Sequence, residues 1–237
     1  MGELKDRRAR KKAQTRELIR SVAQGMFAER GFDDVTIADI ASRADVAVQT
    51  VFNHFTTKEE LFFDGRVPWV TGPAAAVRDR EPGVAPLLAL RAYLIDTVTG
   101  LVSSMACPER RCYLATLGAS DSLRAREREL IHEAETLLAE ALLEVWSTDA
   151  EEAPADPLTA APLTAAVWLA AARVMVLEQR PLVSEGLEPD RAAAAVQLFA
   201  ERLLGQMETS LELINGLGEP LPRTDTGWPG VAVLRAG

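Results

Sequence analysis

Three polar side chains, Gln49, Thr50 and Asn53, are spaced so that they can share the outer face of one short helix. A helix that begins at Ala47 would turn apolar side chains inward at residues 48, 51, 52 and 55. Amide and hydroxyl groups of this length can hydrogen-bond to base edges in the major groove of DNA. The segment therefore predicts base recognition by these three residues, and a plain solvated helix face is the alternative.

A preceding helix must hold this one in position. Thr36 followed by Asp39 forms a capping-box pattern that predicts a helix start, and Ile40 lies on the short apolar face of that helix. Val46 supplies an apolar side chain to fill the space between the two helices. Two short helices joined by a tight turn are the arrangement of a helix-turn-helix.

The stretch from Thr36 to Lys58 resembles the DNA-binding region of the tetracycline-repressor (TetR) family of transcriptional regulators. Its threonine-led helix reads Thr36-Ile37-Ala38-Asp39-Ile40-Ala41, and its recognition helix ends in Phe52-Asn53-His54-Phe55-Thr56-Thr57-Lys58. The resemblance covers roughly residues 13–63 and includes the end of a first amphipathic helix, Ala28-Glu29-Arg30-Gly31-Phe32. The rest of the chain agrees with the family in length and helical pattern only.

Three positions depart from the family pattern. Asp45 replaces the turn glycine, and aspartate tolerates a left-handed conformation better than most residues. Ala47 replaces the usual serine cap of the recognition helix, which removes about 1 kcal/mol of capping. Phe52 replaces a common tyrosine and so lacks a phosphate-binding hydroxyl.

The resemblance implies contacts with DNA near the ends of these helices. Lys58 is expected to bind phosphate, because a cation in the first turn of a helix is unfavourable unless an anion is bound there; the alternative is a solvated lysine. Thr36 is expected to cap its helix and also touch phosphate. His54 is expected to face the DNA backbone, with internal packing as the alternative. Val48 and Phe52 are assigned to the same interface, Val48 as a partner for a thymine methyl group.

Basic residues are concentrated at the N-terminus, although the whole chain carries a formal charge of −9. Residues 1–30 contain nine Lys or Arg and four acids, whereas residues 66–237 contain 15 basic and 24 acidic residues. A positive tip on an acidic body can bind phosphate at that tip. An N-terminal arm that enters the minor groove, or adds non-specific attraction, is predicted for Arg7, Arg8, Arg10, Lys11 and Lys12, with a disordered tail as the alternative.

Apolar periodicity is helical along the whole chain and predicts an all-α fold. Helices are expected at about 86–105, 109–119, 123–146, 163–177 and 189–214, with breaks at 71–73 and 80–83 and a loop at 147–162. The predicted domains are a basic arm with a three-helix helix-turn-helix DNA-binding domain (1–63), a helical ligand-binding and dimerisation domain (64–215), and a C-terminal tail (216–237).

The last two long helices are predicted to form a dimer interface. The helix at 163–177 is apolar nearly all round, so it must be buried on several sides. The resemblance implies that both helices pair with their mates as a four-helix bundle; packing within one chain is the alternative. The predicted interface residues are Leu163, Val167, Val174, Val196, Phe199, Leu203 and Met207.

The central helices are expected to surround a small-molecule pocket. Arg173 lies within an apolar helix, where a buried cation would need a partner such as Asp96 or the acid group of a ligand. Large side chains in apolar helices are core residues under the alternative interpretation. The candidate lining residues are Trp69, Tyr93, Met105, Tyr113, Trp168 and Arg173.

Other function classes find little support in the sequence. Cys107 and Cys112 are too few for a disulfide scaffold and, with only His54 and His132, for a zinc site; half-buried thiols are expected, with a redox pair as the alternative. No nucleophile–base pair or phosphate loop predicts an enzyme, and no cofactor is expected. No apolar run reaches the roughly 20 residues of a membrane helix, and no signal-peptide pattern is present, so a cytoplasmic location away from membranes is expected.

The combined expectation is a homodimeric regulator that represses by binding a palindromic double-stranded operator and is released by a small-molecule effector. One short recognition helix reads too few bases alone, and two copies one helical turn, roughly 34 Å, apart are the usual solution. The alternatives are a transcriptional activator of the same fold, and a carrier or enzyme whose N-terminal unit is only structural.

Overall fold

The computed structural model describes residues 2–148, 153–184 and 187–215, which are helical almost throughout. The helices are α1 (Gly2–Arg30), α2 (Ile37–Arg43), α3 (Val48–Phe52), α4 (Lys58–Phe63), α5 (Pro68–Arg78), α6 (Pro86–Ser103), α7 (Pro108–Ala119), α8 (Asp121–Thr148), α9 (Pro157–Ser184) and α10 (Pro189–Asn215). A 3-10 turn, Ser104–Ala106, follows α6. No strand occurs within the described ranges, and the all-α prediction is confirmed.

The chain divides into two compact units. The N-terminal unit contains the residues up to Pro68 together with 108–128, and the C-terminal unit contains 69–107 and the residues from Glu129 onward. The boundary expected after residue 63 lies near the division at Pro68, but the sequence does not predict that α7 belongs to the N-terminal unit. The expected tail at 216–237 lies outside the described residues.

An aromatic cluster holds the N-terminal unit together. Phe27 near the end of α1 lies 5.0 Å from Phe32 and 6.2 Å from Phe62 of α4, measured between ring centroids. Phe62 also stacks on Tyr113 of α7, with the centroids 4.9 Å apart and the rings inclined by 11°. Aromatic pairs of this kind contribute about 0.5–1.5 kcal/mol beyond the area they bury. Side-chain stacking therefore fastens α7 to α4.

The helix ends in this unit follow the sequence signals. The Thr36 hydroxyl accepts a hydrogen bond from the Asp39 N–H at 3.1 Å, and the Asp39 carboxylate accepts from the Thr36 N–H at 2.9 Å. Gly31 has a φ of 84° and its N–H bonds to the Phe27 carbonyl at 3.0 Å, which closes α1. Asp45 adopts a φ of 52° in the turn between α2 and α3. The capping box and the left-handed aspartate are thus confirmed.

The C-terminal unit is built on the pairing of α6 with α10. Leu90 and Leu94 of α6 are buried in one core with Leu204 of α10. An ion pair between Arg91 and Glu208, at 2.8 Å, joins the same two helices. α8 and α9 complete the core with buried side chains that include Leu138, Leu142 and Trp168.

Two predicted boundaries are wrong because a proline is accepted in the second turn of a helix. α5 continues through the break expected at 71–73, and α9 begins at Pro157, within the expected loop. Pro73 and Pro162 each remove one backbone hydrogen bond, but burial of the neighbouring Ala74 and Ala161 keeps both helices intact. The start of α9 is fixed by a signal that sequence reading overlooked.

That signal is an aspartate directly before a proline. The Asp156 carboxylate accepts a hydrogen bond from the Thr159 hydroxyl at 2.7 Å and from the Thr159 N–H at 3.4 Å. Pro157 then occupies the first helical position, where its missing N–H costs nothing. The predicted starts near Pro86 and Pro189 rest on the same preference and are confirmed.

Two helices of the C-terminal unit are long and apolar enough to cross a bilayer by length and composition. They are Pro86–Ala106 and Pro157–Pro181, with mean hydropathies of 1.3 and 1.7. Their average hydropathy is high because alanine, valine and leucine outweigh isolated charges such as Arg91 and Arg173, although no uninterrupted apolar run is present. Core helices of soluble proteins have the same character, and both helices contribute to the core of this unit.

Gly72 of α5 provides a test of packing in the C-terminal unit. The Tyr93 hydroxyl of α6 lies so close to Gly72 that a Cβ atom there would collide with it. We expect Gly72→Ala to lower the free energy of unfolding by about 1–3 kcal/mol, because the tyrosine ring must move. Urea denaturation measures this change.

Gly100→Ala in α6 is the matched control, because nothing lies within 4 Å of a Cβ atom at that position. Alanine in a helix interior should stabilise the chain by about 0.5–1 kcal/mol relative to glycine. A Gly72→Ala variant as stable as Gly100→Ala would contradict the close approach of Tyr93.

Candidate nucleic-acid interface

Arg16 of α1 holds the end of α3 in place. Its guanidinium donates to the carbonyl of His54, just beyond α3, and to the Asp64 carboxylate at 2.6 Å and the Glu60 carboxylate at 3.3 Å. The same group lies over the ring of Phe55, 4.0 Å from its centroid. One side chain therefore ties α1 to the end of α3 and to both ends of α4.

The charge of Arg16 is secured by these acids. Burial alone would lower the pKa of Arg16, but the hydrogen bond and charge of Asp64, followed by those of Glu60, outweigh burial and raise the pKa. Hydrogen bonds to charged groups are about twice as strong as neutral ones. The link between α1, α3 and α4 is thus a charged one.

Gln24, two turns further along α1, bonds the C-terminal end of α4. Its amide donates to the carbonyls of Leu61 at 3.2 Å and Asp64 at 3.0 Å. At the start of α4, the Thr57 hydroxyl accepts from the Glu60 N–H at 3.1 Å. Sequence reading missed Arg16 and Gln24 as site residues; their signal was only that both lie off the apolar face of α1.

The outer face of α3 carries the predicted base-reading amides. Gln49 and Asn53 are exposed, and the Gln49 amide donates to the Asn53 carbonyl oxygen at 3.3 Å. Thr50 is half-buried, while Val51 and Phe55 are buried and anchor the helix. The structure thus brings Gln49 and Asn53 together in solvent, with Thr50 at the margin.

Val48 and Phe52 do not point inward as the periodicity predicts. Their exposed fractions are 42% and 48%. The reason is the short length of α3, since a five-residue helix can bury only one narrow face and Val51 occupies it. The result is an exposed apolar pair one turn apart, directly beside the exposed amide pair, which suits Val48 to the thymine-methyl contact expected of it.

Thr36 and Lys58 are both engaged within the protein. The Thr36 hydroxyl donates its proton to the Asp39 carboxylate at 2.8 Å. The Lys58 ammonium donates to the carbonyls of Phe32 and Val35, both at 3.0 Å, and lies 4.2 Å from the centroid of the Phe32 ring. These carbonyls explain a cation at the start of α4, so the helix-dipole argument for a bound anion loses its support.

His54 is a neutral, partly buried side chain at neutral pH. Burial lowers its pKa, and the nearby charges of Lys12 and Arg16 lower it further. Its Nδ1 atom is buried and has no hydrogen-bond partner among the described residues. Without a bound anion, the side chain therefore offers a neutral imidazole.

The basic arm is helical. Arg7, Arg8, Arg10, Lys11 and Lys12 form exposed turns of α1, so the alternative of a disordered tail is wrong, and the arm itself stays a prediction. Alanine, arginine and lysine favour helix, and this composition extends α1 toward the N-terminus. The positive charge thus lies on a helix surface continuous with Arg16.

The candidate ligand residues do not share one environment. Tyr113 belongs to the N-terminal unit, where it stacks on Phe62, and Arg173 is exposed, so its expected burial is wrong. In the C-terminal unit Met105 and Trp168 are buried, whereas Trp69 and Tyr93 are half-buried. An open groove of about 610 Å³ is lined by other residues, all on α10: Arg202, Gly205, Gln206, Thr209 and Ser210.

Cys107 is exposed and Cys112 is half-buried.

The candidate dimer residues fall into two groups. Leu163, Val167 and Val174 of α9 and Phe199 of α10 are exposed, and Phe199 reaches 56% exposure. The remaining three pack within their own unit: Val196 is buried in the core, and Leu203 and Met207 lie partly against it. The prediction of Val196 as an interface residue is therefore wrong, because Val196 lies on the inner face of α10 and packs in the core of its own unit.

Replacement of Arg16 tests the charged link. We expect Arg16→Ala to destabilise the N-terminal unit by about 1–3 kcal/mol, because Asp64 and the His54 carbonyl lose their donor. Chemical denaturation of the full chain measures the loss. Arg43→Ala is the control, since Arg43 is exposed and approaches only Glu29, at 4.0 Å; an equal effect of the two variants would contradict the role of Arg16.

Comparison with known proteins agrees with this geometry. The family model described as "Bacterial regulatory proteins, tetR family" matches residues 19–64, which contain α2, α3 and α4. A search of curated proteins found no match.

Two solved structures have a similar fold. NalD, the secondary repressor of the MexAB-OprM multidrug efflux pump in Pseudomonas aeruginosa, is 21% identical with a TM-score of 0.50, over 81% of this chain and 96% of that chain. SmeT, the repressor of the Stenotrophomonas maltophilia multidrug efflux pump SmeDEF, solved in complex with triclosan, is 21% identical with a TM-score of 0.52, over 79% of this chain and 90% of that chain. Residues 19–64 are thus similar to the tetR family of bacterial regulatory proteins, and the chain as a whole shares the fold of the two repressors.

Proposed function

We propose that this chain is a ligand-responsive transcriptional repressor that binds a palindromic DNA operator as a homodimer and is released by a small molecule. The observation that carries the proposal is the outer face of α3, where exposed Gln49 and Asn53 lie beside exposed Val48 and Phe52. A solvated helix face has no need of two exposed large apolar side chains, whereas a surface that enters a groove does.

The two pairs of side chains suggest how α3 reads DNA. Glutamine and asparagine amides pair in a bidentate manner with adenine, and apolar side chains contact the thymine methyl group. The hydrogen bond between Gln49 and Asn53 restrains both amides before DNA binds, which reduces the entropy lost on binding. We therefore infer that each operator half-site contains A·T pairs opposite α3, with Thr50 contacting its margin.

Contacts with the DNA backbone are proposed for the basic surface of α1 and for three residues near α3. Arg7, Arg8, Arg10, Lys11 and Lys12 are exposed and add sequence-independent attraction. Lys58 keeps one N–H beyond its two carbonyl partners, and His54 offers a neutral donor. Thr36 can donate to phosphate only if its hydroxyl turns away from Asp39.

The dimer is proposed on the exposed apolar side chains of α9 and α10. Leu163, Val167 and Val174 recur on one face of α9, and Leu198 and Phe199 lie together on α10. Monomeric proteins seldom leave contiguous apolar surface of this kind in water. A second copy that covers these helices would present two α3 helices to a palindrome.

Release by a small molecule is proposed from the family and assigned to the C-terminal unit. The similar structure of SmeT is a complex with triclosan. Trp69, Tyr93, Met105 and Trp168 remain the proposed ligand residues, since all four are partly or fully buried in this unit. A ligand releases DNA only if it binds the released state more tightly than the DNA-bound state. Binding to chromosomal DNA in a bacterium also implies a cytoplasmic location.

Base reading by α3 is tested with DNA selected from a random-sequence pool by the purified chain. We expect Gln49→Ala combined with Asn53→Ala to weaken binding to the selected duplex by about 10- to 1,000-fold, because each amide pair supplies about 1–3 kcal/mol of discrimination. Electrophoretic mobility shift at several salt concentrations measures this, and binding to unselected DNA should be nearly unchanged.

Gln197→Ala is the matched control, because Gln197 is an exposed glutamine on α10 that bonds only Glu201. It should bind the selected duplex as the parent does. If the double variant also binds like the parent, or if selection enriches no sequence at all, α3 does not read DNA.

The dimer is tested by a charge on its proposed surface. We expect Phe199→Glu to convert the dimer to a monomer at micromolar concentration, because each carboxylate would be buried in an apolar contact without a partner. Sedimentation velocity measures the change. Leu88→Glu is the control, since Leu88 is an exposed leucine on α6 outside the surface; a parent chain that sediments as a monomer would overturn the proposed interface.

A further inference from the structure

Two arginines of the N-terminal unit, Arg66 and Arg110, lie against the ring of Tyr113, and a third, Arg20, reaches the turn that carries Arg66. The guanidinium carbons of Arg66 and Arg110 lie 5.2 Å and 5.0 Å from the centre of the Tyr113 ring. Arg20 of α1 reaches the turn after α4, where its guanidinium lies against Gly65 and would collide with a Cβ atom. Gly65, with a φ of 70°, both makes this turn and leaves room for Arg20.

These arginines are short of acceptors. Arg20 bonds Glu17 at 2.6 Å, and it is the one member with a carboxylate partner within the part of the chain that the structure describes. Arg66 is half-buried and contacts only the rings of Phe62 and Tyr113 through its guanidinium. The Nε atom of Arg110 is buried and lacks a hydrogen-bond partner among the described residues.

This arrangement is costly for the protein alone. Burial lowers the pKa of Arg66, and the charges of Arg20 and Arg110 lower it further, against the opposing effects of Tyr113 and Cys112. Buried guanidinium groups in proteins are normally paired with carboxylates or phosphates. An external anion would supply the acceptors that the chain does not.

We propose that Arg20, Arg66 and Arg110 form a binding site for a small oxyanion of phosphate or carboxylate type, between α1, the turn after α4, and α7. Planar guanidinium forks match the oxygens of both groups in a bidentate manner. Arg110 projects from α7, which carries none of the residues proposed to touch DNA, so a free anion fits the site better than a backbone phosphate. An occupied site would join α7 to the helices that present α3. Any effect of the anion on DNA binding by α3 rests on the proposed function, whereas anion binding itself does not.

Inorganic phosphate is the probe. Thermal unfolding of the full chain without DNA is followed in sodium phosphate and in sodium chloride of equal ionic strength. We expect the parent Tm to rise saturably with phosphate, and the rise to be lost in Arg66→Gln and in Arg110→Gln. In chloride, Arg66→Gln should be at least as stable as the parent, because it removes repulsion between like charges.

Arg128→Gln is the matched control, since Arg128 is an exposed arginine of the same unit. It should keep the full phosphate response. If phosphate stabilises the parent and all variants equally, the effect is a general salt effect and the site does not exist. The absence of any phosphate effect on the parent, or a marked loss of stability of Arg66→Gln in chloride, would also overturn the proposal.

DNA as the source of the anion is tested separately. For a free-anion site, Arg66→Gln combined with Arg110→Gln leaves the salt dependence of DNA binding in chloride unchanged. A slope of log K against log salt reduced by about one unit for each arginine would assign these residues to the DNA backbone and reject the free anion. If the chain binds no DNA, the proposed function fails, while the phosphate titration still decides the site.

Discussion

The contact of Arg16 with the His54 carbonyl is the interaction on which the α3 surface proposed to read DNA depends. α3 is five residues long and begins at Ala47, which provides no side-chain cap. A helix this short is not stable alone, because its nucleation cost exceeds the few hydrogen bonds it forms. Val51 and Phe55 anchor it through their buried side chains. Arg16 holds the residue just beyond its end by bonding the His54 carbonyl, and it joins this residue to Asp64.

This division of labour leaves the outer face of α3 free. Val51 and Phe55 are the buried side chains that anchor the helix. Gln49 and Asn53 therefore contribute nothing to its packing and only hydrogen-bond to each other. Their neighbours Val48 and Phe52 are exposed for the same reason, since the helix has only one buried face. A surface that combines two amides with two apolar groups matches the pattern of an A·T pair, which offers hydrogen-bonding atoms beside a methyl group. The residue of α1 that holds α3 in place and the residues of α3 proposed to read DNA are thus different ones.

Local signals made much of this unit predictable. Thr36 with Asp39, Gly31 and Asp45 each act through the backbone of their own turn, so a single sequence window contains the information. The direction of Val48 and Phe52 was not predictable in this way, because helical periodicity describes a long amphipathic helix and α3 is too short to follow it. Contacts between residues distant in sequence could not be predicted either. Arg16 with Asp64 and Lys58 with the Phe32 carbonyl depend on how the helices pack.

The same limit explains the errors in the C-terminal unit. Apolar residues on α9 and α10 were identified as a set, but a pattern of leucine and valine does not say which side of a helix meets its own core and which meets a partner. Val196 lies inside and Phe199, three residues on, lies outside. Arg173 was expected to be buried because α9 is apolar. The same composition is compatible with one charged side chain on the solvent side of the helix, and Arg173 is exposed there.

Arginine has two opposite uses in the N-terminal unit, and the number of available acceptors distinguishes them. Arg16 is saturated by two carboxylates and a carbonyl, so an approaching phosphate cannot attract it without breaking charged hydrogen bonds. Arg66 and Arg110 have aromatic rings where Arg16 has acids, and rings hold a guanidinium without consuming its N–H donors. A protein that only needed to pack these positions would gain more from leucine or methionine, which carry no desolvation penalty. The presence of two under-paired cations beside Tyr113 is therefore better explained by an anion that completes them than by packing.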